Sequence, residues 1–219
     1  MEEKRITEHE SLQLIQQMIS IAKKEQKDDG RGWIIWGWML FLSSVLSAIN
    51  LHTRWFDTFF FWNLFGIITI IAFIYETVSK YVLKRVERVK TYTGDLFTKL
   101  NAGFFICLVF IIVSINLTAR AMAIRYGVHD IIVNNGFALL INVYAFWILI
   151  YGTALNFRPS VIGAYCTWVV GFVALFAKNF EQVMWLHALA VLIGYIIPGH
   201  IANREFKKFK SKDKLVESV

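Results

Sequence analysis

Between Trp33 and Ile201 the chain carries six apolar blocks of about 20 residues, joined by short connections that hold most of the charge. A block of that length, wound as an α-helix rising about 1.5 Å per residue, spans a hydrocarbon layer about 30 Å thick. The blocks run Trp33–Leu51, Phe59–Ser79, Asn101–Ala123, Asn134–Leu155, Ser160–Ala177 and Met184–Ile201. In lipid each backbone amide has to be paired within its own segment, so blocks of this kind fold as helices. The expected fold is all-α: a polytopic membrane helix bundle with six transmembrane helices. Of the 219 residues 57% are hydrophobic and 18% charged, against about 45–50% and about 25% in a soluble domain. Six spans leave no length for a separate soluble enzyme domain.

Charge then orients the bundle. Lys and Arg stay on the cytoplasmic side of a membrane. Nineteen of the 23 fall on one set of connections: the amino-terminal segment, the second-to-third and fourth-to-fifth connections, and the tail. The other set holds four: Arg54, Arg120, Arg125 and Lys178. Both termini are therefore expected in the cytoplasm, and the net charge of +7 reads as a topology signal, not as a nucleic-acid footprint. Tryptophans mark the headgroup level: Trp33, Trp36 and Trp38 open the first span, Trp55 and Trp62 flank the second, and Trp185 opens the sixth. No cleavable signal peptide is expected, because the first 32 residues are polar and contain Glu2, Glu3, Glu8 and Glu10. Cys107 and Cys166 sit in apolar blocks and read as small hydrophobes.

Residues 1–32 are expected to form a cytoplasmic amphipathic helix, residues 33–203 the membrane domain, and residues 204–219 a basic tail. Thr7 and Glu10 have capping-box spacing. After them Leu12, Leu14, Ile15, Met18, Ile19, Ile21 and Ala22 recur with helical period, opposite Gln13, Gln16, Gln17 and Ser20. Such a face needs cover: the lipid surface, the bundle itself, or a groove on a partner protein or second copy. Leu14, Ile15, Met18 and Ile19 are the partner-binding candidates.

Ionisable residues inside a membrane are costly and mark function by default. In these blocks they fall near helix ends. Glu76 lies one turn from an inner end, within i+4 reach of Lys80, and reads as a local ion pair. Near the midplane stand Asn142, Tyr144 and Tyr165, the residues around which a cavity is conceivable, with Thr167 close by. No titrating group is expected at mid-depth, which argues against a proton-driven pump. His52, Asp57, His129, Asp130, Glu181 and His187 are expected on the outer face or just below it, and are weak candidates for a divalent metal site. No HxxxH or HExxH spacing supports one, so no metal or other cofactor is assigned. GxSxG, Walker and dinucleotide-binding patterns are absent too. Pro159 follows a tight turn, and Pro198 is expected to kink or end the sixth span.

Four stretches also resemble a known pattern. Glu10–Ile19 is followed by Gly32–Trp38, and later come Asn156–Gly163 and Gly194–His200. Together they resemble a family of small, uncharacterised bacterial membrane proteins with an amphipathic first helix and about six spans. The resemblance implies a bacterial inner membrane and carries over no site residues. The leading expectation is a non-enzymatic membrane scaffold or regulator whose partners are the bilayer and either a second copy or a cytoplasmic protein. A small transporter or channel is the alternative, and an intramembrane enzyme with an outer-face metal comes third.

Overall fold

The computed structural model describes residues 29–81, 92–127 and 130–217. The segment carrying Leu14, Ile15, Met18 and Ile19 lies outside these residues, as do the charged stretch 82–91, His129 and the side chain of Glu76. Among the described residues all regular structure is helical. The elements are α1 (Arg31–Thr53), α2 (Phe60–Tyr81), α3 (Tyr92–Tyr126), α4 (Asp130–Ala154), α5 (Arg158–Ala174) and α6 (Phe180–Val191). From α6 the chain passes through a π turn, Leu192–Ile196, into α7 (Ile197–Glu217). Among the described residues four helices are long and apolar enough to cross a membrane: α1, α3 from Leu96, α4, and the last rod over Phe180–Ser211. The apolar part of α2 covers only Phe60–Tyr75, and α5 has 17 residues.

Each turn has a local cause. Gly30 starts α1 with φ +67°, a left-handed conformation that suits glycine, and a Cβ there would collide with the carbonyl of Gly199. Asn50 shapes the α1–α2 loop: its amide donates to the carbonyls of Phe56 (3.0 Å) and Asp57 (3.1 Å) and its oxygen accepts from the Phe56 N–H at 3.0 Å. Asn156, at φ +50°, closes α4 in a Schellman arrangement, with Phe157 N–H on Gly152 O (2.7 Å) and Asn156 N–H on Thr153 O (3.1 Å). Pro159 sits in the first turn of α5, where a missing N–H costs nothing. Asn179 caps α6 by accepting from Gln182 N–H at 2.9 Å, while the Gln182 side chain accepts from Lys178 N–H at 2.9 Å.

The expectation for Pro198 needs refining: the helix does not stop there. Proline lacks an N–H and crowds the carbonyl four residues back. The π turn widens the helix just before it, with Ile197 N–H reaching the Leu192 carbonyl, and the rod continues to Glu217.

The core lies between α1, α4, α5 and the α6–π–α7 rod; α4 and α5 share the largest interface and α1 and α6 the next. Close approach depends on glycines. A Cβ on Gly152 would sit 2.8 Å from Ser160 Cβ, one on Gly163 would sit 3.0 Å from Ile193 O, and one on Gly194 would meet Thr167 Oγ1 at 2.7 Å. Outside this core, α2 packs mainly on α1 and α3 mainly on α4. Both present isoleucine and phenylalanine outward, among them Ile67, Ile70, Ile71, Ile106 and Phe110.

Candidate functional site

The two ends of the bundle are identified by contacts. At one end Asp29 and Gly30 meet Asn203 and Gly199, and Trp33 packs on Tyr151 at 4.6 Å between ring centres. At the other, His52 of α1 bonds Glu181 of α6 at 2.9 Å, and Phe59 packs on Phe180 at 5.5 Å. The most unusual side chain lies below this second end.

His187 occupies the third turn of α6, where it faces α1 and is fully enclosed, with 0% of its surface exposed. Its position follows from what surrounds it on both helices. Ser44, Ser47 and Ala48 form a stripe of small residues on α1, and Val183, Met184, Ala188 and Val191 are buried on α6. Small residues let two backbones approach, and the imidazole fills the space left over. Three rings stand edge-on to it: Trp62 at 5.1 Å, Tyr144 at 5.5 Å and Phe137 at 6.4 Å, with interplanar angles of 89°, 81° and 79°. The Trp62 indole N–H reaches Met184 Sδ at 3.1 Å, which locks that ring in place.

One imidazole tautomer satisfies both contacts of Ser44. Ser44 Oγ lies 2.8 Å from the Leu40 carbonyl and 2.8 Å from His187 Nδ1. A carbonyl only accepts, so the single hydroxyl proton goes to Leu40. Nδ1 then carries the other proton and donates to Ser44 Oγ. Nε2 is left as a bare lone pair, and it has no partner among the described residues. Two other enclosed atoms are also unpaired: Ser47 Oγ, one turn from Ser44 on the same face, and Asn134 Oδ1, one turn from Phe137 on α4. Buried polar groups are normally paired, so three such atoms toward one end of a core need a chemical reason.

The residues singled out from the sequence are dispersed. His52 and Glu181 come together at the surface; Asp57 and Asp130 are exposed, and Asp57 is engaged through its backbone carbonyl. His187 is separated from them in the core. Among the described residues no three His, Cys, Asp or Glu side chains group as metal ligands. Of the cavity candidates, Tyr144 is buried in the core, while Tyr165 is 56% exposed and packs on Trp168 at 5.8 Å. Asn142 is half-buried against Gly171, its amide donating to the Ala138 carbonyl at 2.8 Å. The three therefore do not share a lining. No family model, curated protein or solved structure matches the chain.

Proposed function

We propose that this chain is an integral protein of a bacterial inner membrane with six spans and both termini in the cytoplasm. It acts without catalysis, as a scaffold or regulator that engages a second copy or a cytoplasmic protein through its inner face. The observation that carries this reading is the closed centre of the core. Ile141, Ile148 and His187 are fully enclosed, and Thr167 is 1% exposed. Two polar side chains there bond to backbone: Thr167 Oγ1 lies 2.8 Å from Gly163 O and 3.4 Å from Ala190 O, and the Trp168 indole donates to Asn142 O at 3.2 Å. A centre filled in this way supports a role at the surfaces. The three-residue turn from α4 to α5 sends α5 back alongside α4, which supports six crossings, and the charge asymmetry supports the orientation.

The test replaces Leu14, Ile15, Met18 and Ile19 with serine. In the full-length protein these changes should abolish self-association or partner capture, read by light scattering and pull-down, and leave the thermal transition of the bundle unchanged. A variant that associates like the wild type would sink the scaffold reading. A second reading, a small transporter, is favoured by one observation. An enclosed ionisable side chain with an unpaired nitrogen is the type of group that lines substrate paths in membranes.

A further inference from the structure

The three unpaired atoms share a chemistry. His187 Nε2 and Asn134 Oδ1 are acceptors without donors, and Ser47 Oγ is a hydroxyl without a partner. Among the described residues, the hydrogen-bond and ring partners of His187 are uncharged: Ser44 on α1, Trp62 on α2, and Phe137 and Tyr144 on α4. His187 Nε2 and Asn134 Oδ1 can only accept, while the Ser47 hydroxyl can also donate. A small O–H or N–H donor fits, because the atoms it would pair are otherwise left desolvated and unpaired. The position also favours this class. Ser47 and Asn134 both lie between His187 and the end of the bundle carrying His52 and Glu181, so the unpaired atoms lead inward from that end to the imidazole.

We propose that the seam between α1, α4 and α6 is a binding site for a small, uncharged hydrogen-bond donor, received by His187 Nε2 from the His52–Glu181 end. Water and a small alcohol or amide share the required chemistry. The proposal does not depend on the scaffold reading, since partner capture and occupancy of this seam are read separately.

The experiment uses the full chain in lipid bilayers with its histidines labelled with 15N, the His187 signals being assigned by their loss in His187→Leu. Magnetisation transfer from water to Nε2 is measured first, and then methanol and formamide are titrated. A water cross-peak at Nε2 that neither additive displaces identifies water as the occupant. A saturable change in the Nε2 shift identifies a small alcohol or amide. The proposal is overturned if Nε2 shows neither a cross-peak nor a change. Asn134→Leu and Ser47→Ala provide a second reading, because each should reduce the transfer at Nε2 at least twofold while the protein elutes as a folded species. Transfer unchanged in both variants would remove these two residues from the site and overturn the path proposed from that end.

Discussion

Replacing Gly152 with valine is expected to separate α4 from α5 and produce one of the largest losses of stability available to a single change in this bundle. The first added carbon would lie 2.8 Å from Ser160 Cβ and 2.9 Å from the backbone nitrogen of Val161. Backbone cannot rotate aside as a side-chain tip can. The Phe157 N–H is also held on the Gly152 carbonyl at 2.7 Å, so the turn and the interface have to move together. Overpacking costs about 1–3 kcal/mol in general, and this site belongs at or above the top of that range. For a chain of this size that corresponds to a fall in Tm on the order of 10 °C. Gly66→Val on α2 is the control, since nothing lies within 4 Å of a Cβ there, and it should melt like the wild type. Thermal melting followed by fluorescence-detected gel filtration gives both values. Equal transitions for the two variants would show that the α4–α5 interface tolerates what its geometry forbids.

The helices themselves could be read from the sequence, because length and apolarity report directly on a hydrocarbon layer. The first block, Trp33–Leu51, became Arg31–Thr53, and the fourth, Asn134–Leu155, became Asp130–Ala154. Which face points inward could not be read in the same way. In lipid the outside of a bundle is as apolar as its core, so Ile141 and Ile148 (both 0% exposed) and Ile70 and Ile71 (60% and 61%) look alike in sequence. Tyr165 shows the consequence: it stands near the expected midplane but faces outward. His187 shows the reverse, since its place near the start of the sixth block led to an expectation at or near the outer surface. The available signal was small residues at helical spacing. Ser44, Ser47 and Ala48 on α1 recur at three- and four-residue steps, as do Met184, His187, Ala188 and Val191 on α6. Two such stripes imply a close seam with the histidine inside it. Even so, the unpaired state of Nε2 depends on how Ser44 divides its bonding between Leu40 and His187, which requires coordinates.

His187 separates the two functional readings through a pair of substitutions. His187→Ala removes a fully enclosed ring and leaves a void among Trp62, Phe137, Tyr144 and Met184, so it should cost about 2–5 kcal/mol. His187→Leu keeps most of the volume and also deletes the unpaired nitrogen. The Ser44 hydroxyl retains its bond to the Leu40 carbonyl, so no new orphan donor is created. Leucine should therefore stay within about 1.5 kcal/mol of the wild type, the usual range for volume-conserving swaps. Thermal melts of the two variants check this order, and an alanine variant as stable as leucine would mean that the seam collapses freely. With His187→Leu folded, its function becomes informative. A scaffold that works through its inner face should keep self-association and partner capture unchanged in this variant, because the seam lies toward the opposite end of the bundle from Asp29 and Asn203. A transporter whose path passes Nε2 should instead lose flux of protons or methylamine into liposomes while retaining its fold. Loss of flux in folded His187→Leu, beside measurable flux in the wild type, would transfer the function from the inner face to the seam between α1, α4 and α6.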